Sequence, residues 1–369
     1  MRIIFAGGGT AGHINPAIAV ANYTKSKDKD FKALFIGTKG GMESKLVPKS
    51  GYDIEFIDVQ GFKRSLSPSN IVAVFKAGYA LHKSRKIIKK FTPDIVIGTG
   101  GYVSGPVVSA AASLGIPTLI HEQNVFAGMT SKMLSGKVDT VCISFEESRK
   151  VFSKAKNVVL TGNPIRPELF KTDKKRAREK LKLDNKPFIL AFGGSLGALM
   201  LNKSVCDFLE CAKGDNNFRL LFGTGEREFD NVSEILKEKD LNSDNIEVVP
   251  YINNMHDVMN ACDIVIARAG AVTLSEINAL GKAAILIPSP NVTDNHQEFN
   301  ARALEKQGAA VVITENLLDD KKVMYKEVSK MLNTKGKLEE MSSSSLKMGI
   351  KDGTDKIYKE IMKLVKKVS

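Results

Sequence analysis

The stretch IIFAGGGTAGH, Ile3 to His13, decides the fold, because a near copy, FILAFGGSLG, returns at Phe188 to Gly197. A shift of 185 positions lays Gly8 on Gly193, Gly9 on Gly194, Thr10 on Ser195 and Gly12 on Gly197. Each copy is an apolar run ending in glycines, which let backbone N–H groups approach an anion at the start of a helix. The pair predicts two nucleotide-fold halves whose turns face each other across a cleft. Only the first turn carries a histidine.

Outward from these turns, apolar runs set between Gly, Pro and Asn predict strands near 2–6, 32–37, 53–57, 94–98, 117–121, 139–144 and 157–161. A second series falls near 188–192, 218–222, 246–250, 263–267, 283–287 and 309–313. Helical stretches separate most of them, so the expected class is α/β, with parallel sheets covered on both faces and ligands at the carboxyl ends of strands. Between the series lies GNPIRPELF, where Pro164 and Pro167 read as a joint. The expected domains are therefore 1–163 and 164–350, with a last helix, within about 352–369, returning to the first half.

A chain of 369 residues, 43% hydrophobic, is long enough for two cores. It has no apolar run near the roughly 20 residues of a membrane span, and it opens on a strand rather than a leader, so a cytoplasmic protein is expected. Cys142, Cys206, Cys211 and Cys262 show no C-x-x-C spacing, which suits reduced, buried thiols rather than zinc or disulfides.

The net charge of +13 is uneven: residues 1–163 hold 22 Lys/Arg against 11 Asp/Glu. A basic first half suits nucleic acid, an anionic membrane surface or a phosphorylated ligand. The helix expected over 71–90 concentrates that charge, with Lys76, Lys83, Arg85, Lys86, Lys89 and Lys90 beside Phe75 and Tyr79. One reading is a core helix with a solvated face. The other is an interfacial helix in which Phe75 and Tyr79 dip into lipid while Lys83 and Lys86 stay at headgroup level. Nucleic acid is the weaker partner, since no basic run is interleaved with aromatics and Trp is absent.

Gly7, Gly9 and Gly12 satisfy G-x-G-x-x-G, yet the second strand ends in Gly37, Thr38 and Lys39, without the acidic residue a dinucleotide fold uses on its ribose. His13, just after the turn, either lines it or serves as a general base, for which an unperturbed pKa of about 6.5 is suited. Further loops at the same expected edge are GTGGYVSGP, 98–106, and HEQN, 121–124, which would line the cleft floor. In the second half, ARAGAVTLSE places Arg268, Gly270, Thr273 and Glu276 around a strand-to-helix turn. There Gly270 frees the backbone for a diphosphate and Glu276 suits the two hydroxyls of a ribose. Asn295, His296, Gln297 and Asn300 are polar groups of the kind that recognise sugar hydroxyls or cap helices. Asp28 and Asp30 form an Asp-x-Asp in a connection at the opposite sheet edge, a poor place for a catalytic metal.

In order, GGGTAGH, GTGGYVSGP, HEQN, GNPIR, GGSLGA, RAGAVTLSE and DNHQEFNA resemble the MurG family, the peptidoglycan N-acetylglucosaminyltransferases that make lipid II. The resemblance implies a GT-B fold and an inverting, metal-independent transfer without a cofactor. UDP-N-acetylglucosamine would bind mainly to the second half and lipid I, an undecaprenyl-diphosphate muramyl-pentapeptide, to the first. It implies His13 as the base, with Thr10, Ala11, Gly12, Asn124, Arg166, Ser195, Ile252, Arg268, Thr273, Glu276, Gln297 and Asn300 as donor contacts. Gly9, Tyr102, Ser104 and Glu122 would meet the acceptor. The implied place is the cytoplasmic face of the membrane, with other cell-wall synthesis proteins as further partners. Ala11 and Leu196 depart from glycine and glutamine in many relatives. The alternative is another GT-B enzyme, with a different acceptor or acting as a UDP-sugar epimerase.

Overall fold

The computed structural model describes residues 1–61, 69–194 and 197–367, with side chains from residue 75 onward in the helix that begins at Ser69. The chain forms two compact units, Met1–Ile165 with Ile350–Ser369, and Arg166–Gly349.

The first unit runs β1 (Arg2–Gly7), α1 (Ala11–Lys27), β2 (Lys32–Gly37), α2 (Glu43–Lys49), β3 (Asp53–Phe56) and α3 (Ser69–Phe91). It continues through β4 (Ile95–Gly100), α4 (Ser104–Ser113), β5 (Thr118–Glu122), α5 (Met129–Leu134), β6 (Thr140–Ile143) and β7 (Val158–Leu160). The second unit holds α6 (Lys174–Lys180), β8 (Phe188–Phe192), α7 (Leu199–Cys211), β9 (Arg219–Gly223), α8 (Phe229–Glu238), β10 (Ile246–Val249) and α9 (Met255–Ala261). It ends with β11 (Ile264–Ala267), α10 (Ala271–Leu280), β12 (Ala283–Leu286), α11 (His296–Lys306), β13 (Ala310–Val312), α12 (Val323–Asn333) and α13 (Lys337–Met348), after which α14 (Gly353–Lys366) rejoins the first unit. Every strand lies within two residues of its expected range.

All strand pairs are parallel, in the orders β3-β2-β1-β4-β5-β6-β7 and β10-β9-β8-β11-β12-β13. In each sheet the order reverses beside its first strand, between β1 and β4 and between β8 and β11. Connections leave a crevice at the carboxyl ends of such switch points. The two glycine turns therefore follow β1 and β8 at the place where a doubly wound sheet opens.

Successive strand residues face opposite sides, so Ile3 and Phe5 pack with Ile14, Ala17 and Leu119, while Ile4 and Ala6 pack with Val96, Val107 and Ile143. Both faces are covered, which is why these strands read as unbroken apolar runs. In α14, Ile357, Ile361 and Leu364 recur at helical spacing and join the cluster of Ile14, Val20 and Ala21. The Tyr23 hydroxyl donates to Asp355 at 2.7 Å across this contact, and that bond raises its phenol to about 12. Unit two has its own core around Ile189, Val205, Phe208, Phe222, Ile266 and Met331.

Cys142, Cys206 and Cys262 are buried free thiols. Burial pushes Cys206 and Cys262 up to about 11 and Cys142 higher still, so none is poised as a nucleophile. Asp28 accepts from the N-terminal ammonium at 2.8 Å. Ala11 opens α1 without a positive φ, so the added methyl is accommodated.

Candidate functional site

In the first unit the carboxyl edge brings together the turns after β1, β2, β4 and β5. Gly9 takes φ +85° to swing the chain from β1 into α1, with Thr10 as the residue before the helix. His13 lies in the first turn of α1, and its Nδ1 is 3.0 Å from the Gly8 carbonyl and 3.3 Å from Thr10 Oγ1. A carbonyl can only accept, so Nδ1 carries the hydrogen and Nε2 is the basic nitrogen. The ring packs on Gly100, where a Cβ would fall 2.6 Å from Cδ2.

At the glycine turn, Gly9 N–H donates to Glu43 Oε2 at 2.9 Å. Thr38 N–H and Oγ1 donate to Glu43 Oε1 at 2.9 and 2.8 Å. Burial would raise this carboxyl, but the N–H groups of Gly9 and Thr38 outweigh it and hold Glu43 below the usual carboxylate range. Sequence reasoning missed Glu43, whose only signal is an acid opening a helix after a glycine run.

Ser104 is held within the fold. It is 1% exposed, and its hydroxyl donates to Ala6 O at 2.6 Å while accepting from Gly100 N–H at 3.0 Å, so it ties β1 to the β4 turn. Tyr102 is exposed, with its ring over Gly61. In HEQN, His121, Glu122 and Gln123 are buried and Asn124 is half-buried. The Glu122 oxygens accept from Asn124 N–H and Gly128 N–H, both at 3.1 Å, which shapes the loop that carries Asn124.

His121 Nε2 donates to Gly162 O at 3.0 Å and Nδ1 receives Gln123 Nε2 at 3.0 Å. Burial drives this imidazole down to about 4 against the raising effect of Gly162 O. A depressed pKa means that the neutral ring's contribution is present above the unfolded value of about 6.5 and is lost as pH falls toward 4, about 3 kcal/mol in all. Denaturant melts from pH 7 to 4 are expected to lose stability more steeply in the native chain than in a His121→Gln variant; equal slopes refute this.

In the second unit, Gly270 precedes α10, and Thr273 sits half-buried in its first turn. Glu276 is buried one turn on, and Arg166 grips it with both arms, Nε to Oε1 and Nη2 to Oε2, each at 2.7 Å. That bond raises the Arg166 guanidinium further above its ordinary value. Arg268 Nη2 pairs with Glu315 at 2.6 Å and its Nη1 donates to Ile287 O at 3.1 Å, so it braces the turn. Asn300, with no exposure, donates to Ala269 O at 3.3 Å and supports the same turn. Gln297 is half-buried, its Oε1 accepting from Ser289 N–H at 2.9 Å. Ile252 packs its side chain over Gly223 and fixes the segment after β10. Ser195 and Leu196 lie outside the described residues.

On α3, Ala80, Ser84 and Ile88 face inward, whereas Phe75 and Tyr79 are 75% and 62% exposed. Met129 and Met133, one turn apart on α5, are exposed as well, and both helices pack on α4. Among the described residues no helix is long and apolar enough to cross a membrane.

Residues 3–143 match the glycosyltransferase family 28 N-terminal domain, and residues 188–357 match the glycosyltransferase family 28 C-terminal domain. The UDP-N-acetylglucosamine–N-acetylmuramyl-(pentapeptide) pyrophosphoryl-undecaprenol N-acetylglucosamine transferase of Acetivibrio thermocellus is 48% identical over 368 residues, 99% of both chains. Its namesake in Ruminiclostridium cellulolyticum is 45% identical, covering 99% of this chain and 100% of that one. The crystal structure of Acinetobacter baumannii MurG is similar at a TM-score of 0.80 and 30% identity, covering 98% and 99% of the two chains.

Proposed function

The chain belongs to the family of UDP-N-acetylglucosamine–N-acetylmuramyl-(pentapeptide) pyrophosphoryl-undecaprenol N-acetylglucosamine transferases, and from that premise we propose that it makes lipid II. It moves N-acetylglucosamine from UDP-N-acetylglucosamine to the muramyl 4-hydroxyl of lipid I, inverting the anomeric carbon to a β-1,4 bond and releasing UDP. The two units are the halves of a GT-B enzyme, the first taking the acceptor and the second the sugar nucleotide.

The observation that carries this reading is His13, whose Nδ1 is engaged by the Gly8 carbonyl so that Nε2 is the proton acceptor. Nε2 takes the hydroxyl proton as the acceptor oxygen bonds to C1 and the diphosphate leaves with the bonding pair. Thr10 to Gly12 and Asn124 lie beside the donor sugar, and Tyr102 beside the acceptor. The α10 N-terminus and the β8 turn with Ser195 stabilise the leaving diphosphate, Arg166 adds its charge, and Glu276 takes the ribose. Ile252 presents its backbone to the uracil and Gln297 its amide to the sugar. Radiolabelled UDP-N-acetylglucosamine with a short-chain lipid I analogue should yield a β-linked disaccharide product. Turnover of the donor with no lipid present would favour the epimerase reading instead.

Phe75, Tyr79, Met129 and Met133 with Lys83 and Lys86 form the surface that meets the cytoplasmic face of the membrane. Burying one such aromatic is worth about 1.5–3 kcal/mol, roughly ten- to a hundredfold in partitioning. Phe75→Ser with Tyr79→Ser is expected to cut flotation with anionic vesicles at least tenfold while transfer to a water-soluble acceptor persists. Undiminished flotation would remove this helix from the membrane contact.

A further inference from the structure

Glu43 is a buried, ionised side chain that the transfer reading leaves without a part. Its carboxylate is walled by glycines: a methyl on Gly8, Gly37 or Gly41 would overlap it. Three donors converge on it, and one of them, Gly9 N–H, belongs to the same peptide unit as the Gly8 carbonyl that receives His13 Nδ1–H. That peptide is trans, so its N–H and C=O point in opposite directions. Carboxylate, peptide and imidazole thus stand in one line of hydrogen bonds, 2.9 Å on one side of the peptide and 3.0 Å on the other.

We propose that Glu43 is the carboxylate partner of His13, acting through the Gly8–Gly9 peptide to fix the ring's tautomer and to stabilise the positive ring that forms during transfer. This rests on His13 being the base. Hydrogen bonds in series polarise one another, so a peptide whose N–H faces a carboxylate offers a stronger acceptor at its carbonyl. As the acceptor hydroxyl proton passes to Nε2, the ring gains a charge, the Nδ1–H bond to Gly8 O tightens, and Glu43 remains ionised throughout. The arrangement does the work of a carboxylate bonded directly to a catalytic histidine, with one peptide interposed. It also places the negative charge where the first glycine turn would otherwise hold a phosphate. The first turn is thereby suited to a neutral sugar hydroxyl, while diphosphate binding is left to the other turn. Glu43 is a positioning residue, since it acts only through His13.

The test is a double-mutant cycle on the full chain, measuring kcat and KM with UDP-N-acetylglucosamine and a short-chain lipid I analogue. In Glu43→Gln one amide oxygen cannot serve both Thr38 and Gly9, and the negative charge that polarises the peptide is lost at nearly constant shape. Turnover should fall about 10- to 100-fold, the worth of one hydrogen bond to a charged group, with KM for the donor unchanged. In a His13→Ala background the same substitution should change turnover less than about twofold, because the pathway is already gone. A full additional loss in that background, or no loss in the native one, overturns the proposal. His13→Ala alone turning over normally would instead overturn the base itself, a separate result. Should Glu43→Gln fail to fold, nitrogen NMR of the native ring decides: a neutral His13 protonated at Nδ1 supports the relay, and one protonated at Nε2 overturns it.

Discussion

His13→Ala is expected to lower kcat by about 10²–10⁴-fold, the usual worth of a positioned histidine base, while UDP binding by calorimetry stays unchanged. The separation follows from where the residues sit. His13 belongs to the first unit, whereas Arg166, Thr273 and Glu276 belong to the second. The ring's Nδ1 is committed to a carbonyl, so the loss is of Nε2 chemistry rather than of a binding group. His13→Gln, which returns an amide near the same place without a proton-accepting nitrogen, should be nearly as slow. Normal turnover in either variant would assign proton removal to another group.

Glu276→Ala is expected to raise KM for UDP-N-acetylglucosamine by about 100-fold or more, from losing two charged hydrogen bonds worth roughly 1.5–3 kcal/mol each. Glu276 is a buried carboxylate one turn into α10, the helix that Gly270 precedes. In the structure its two oxygens hold Arg166, which keeps the guanidinium close by. The discriminating measurement uses the 2′-deoxyribose analogue. The native enzyme should disfavour it strongly, and Glu276→Ala should accept both donors about equally. If the analogue is still rejected, Glu276 serves Arg166 and not the ribose.

The fold was legible because parallel strands buried on both faces leave continuous apolar runs, such as IIFA and FILAF, bounded by glycines that must be glycines. The same glycines marked His13, and helical spacing marked Glu276. Legibility stopped where a polar side chain chooses between a ligand and its own backbone. Ser104, Asn300 and Arg268 each hold a partner far along the chain, Ala6, Ala269 and Glu315, that spacing does not announce. Glu43 was hidden for the same reason, since the bond joining it to Gly9 spans 34 positions. Spacing reports which face of an element a residue occupies; it does not report who stands opposite.

The return of α14 to the first unit has a consequence for how the protein is made. Ile357, Ile361 and Leu364 cover Ile14, Ala17 and Val20, but the ribosome delivers them only after all of Arg166–Gly349 has been synthesised. The first unit therefore waits with a greasy flank uncovered until Gly353–Lys366 has been read, and its maturation trails that of the segment inserted within it.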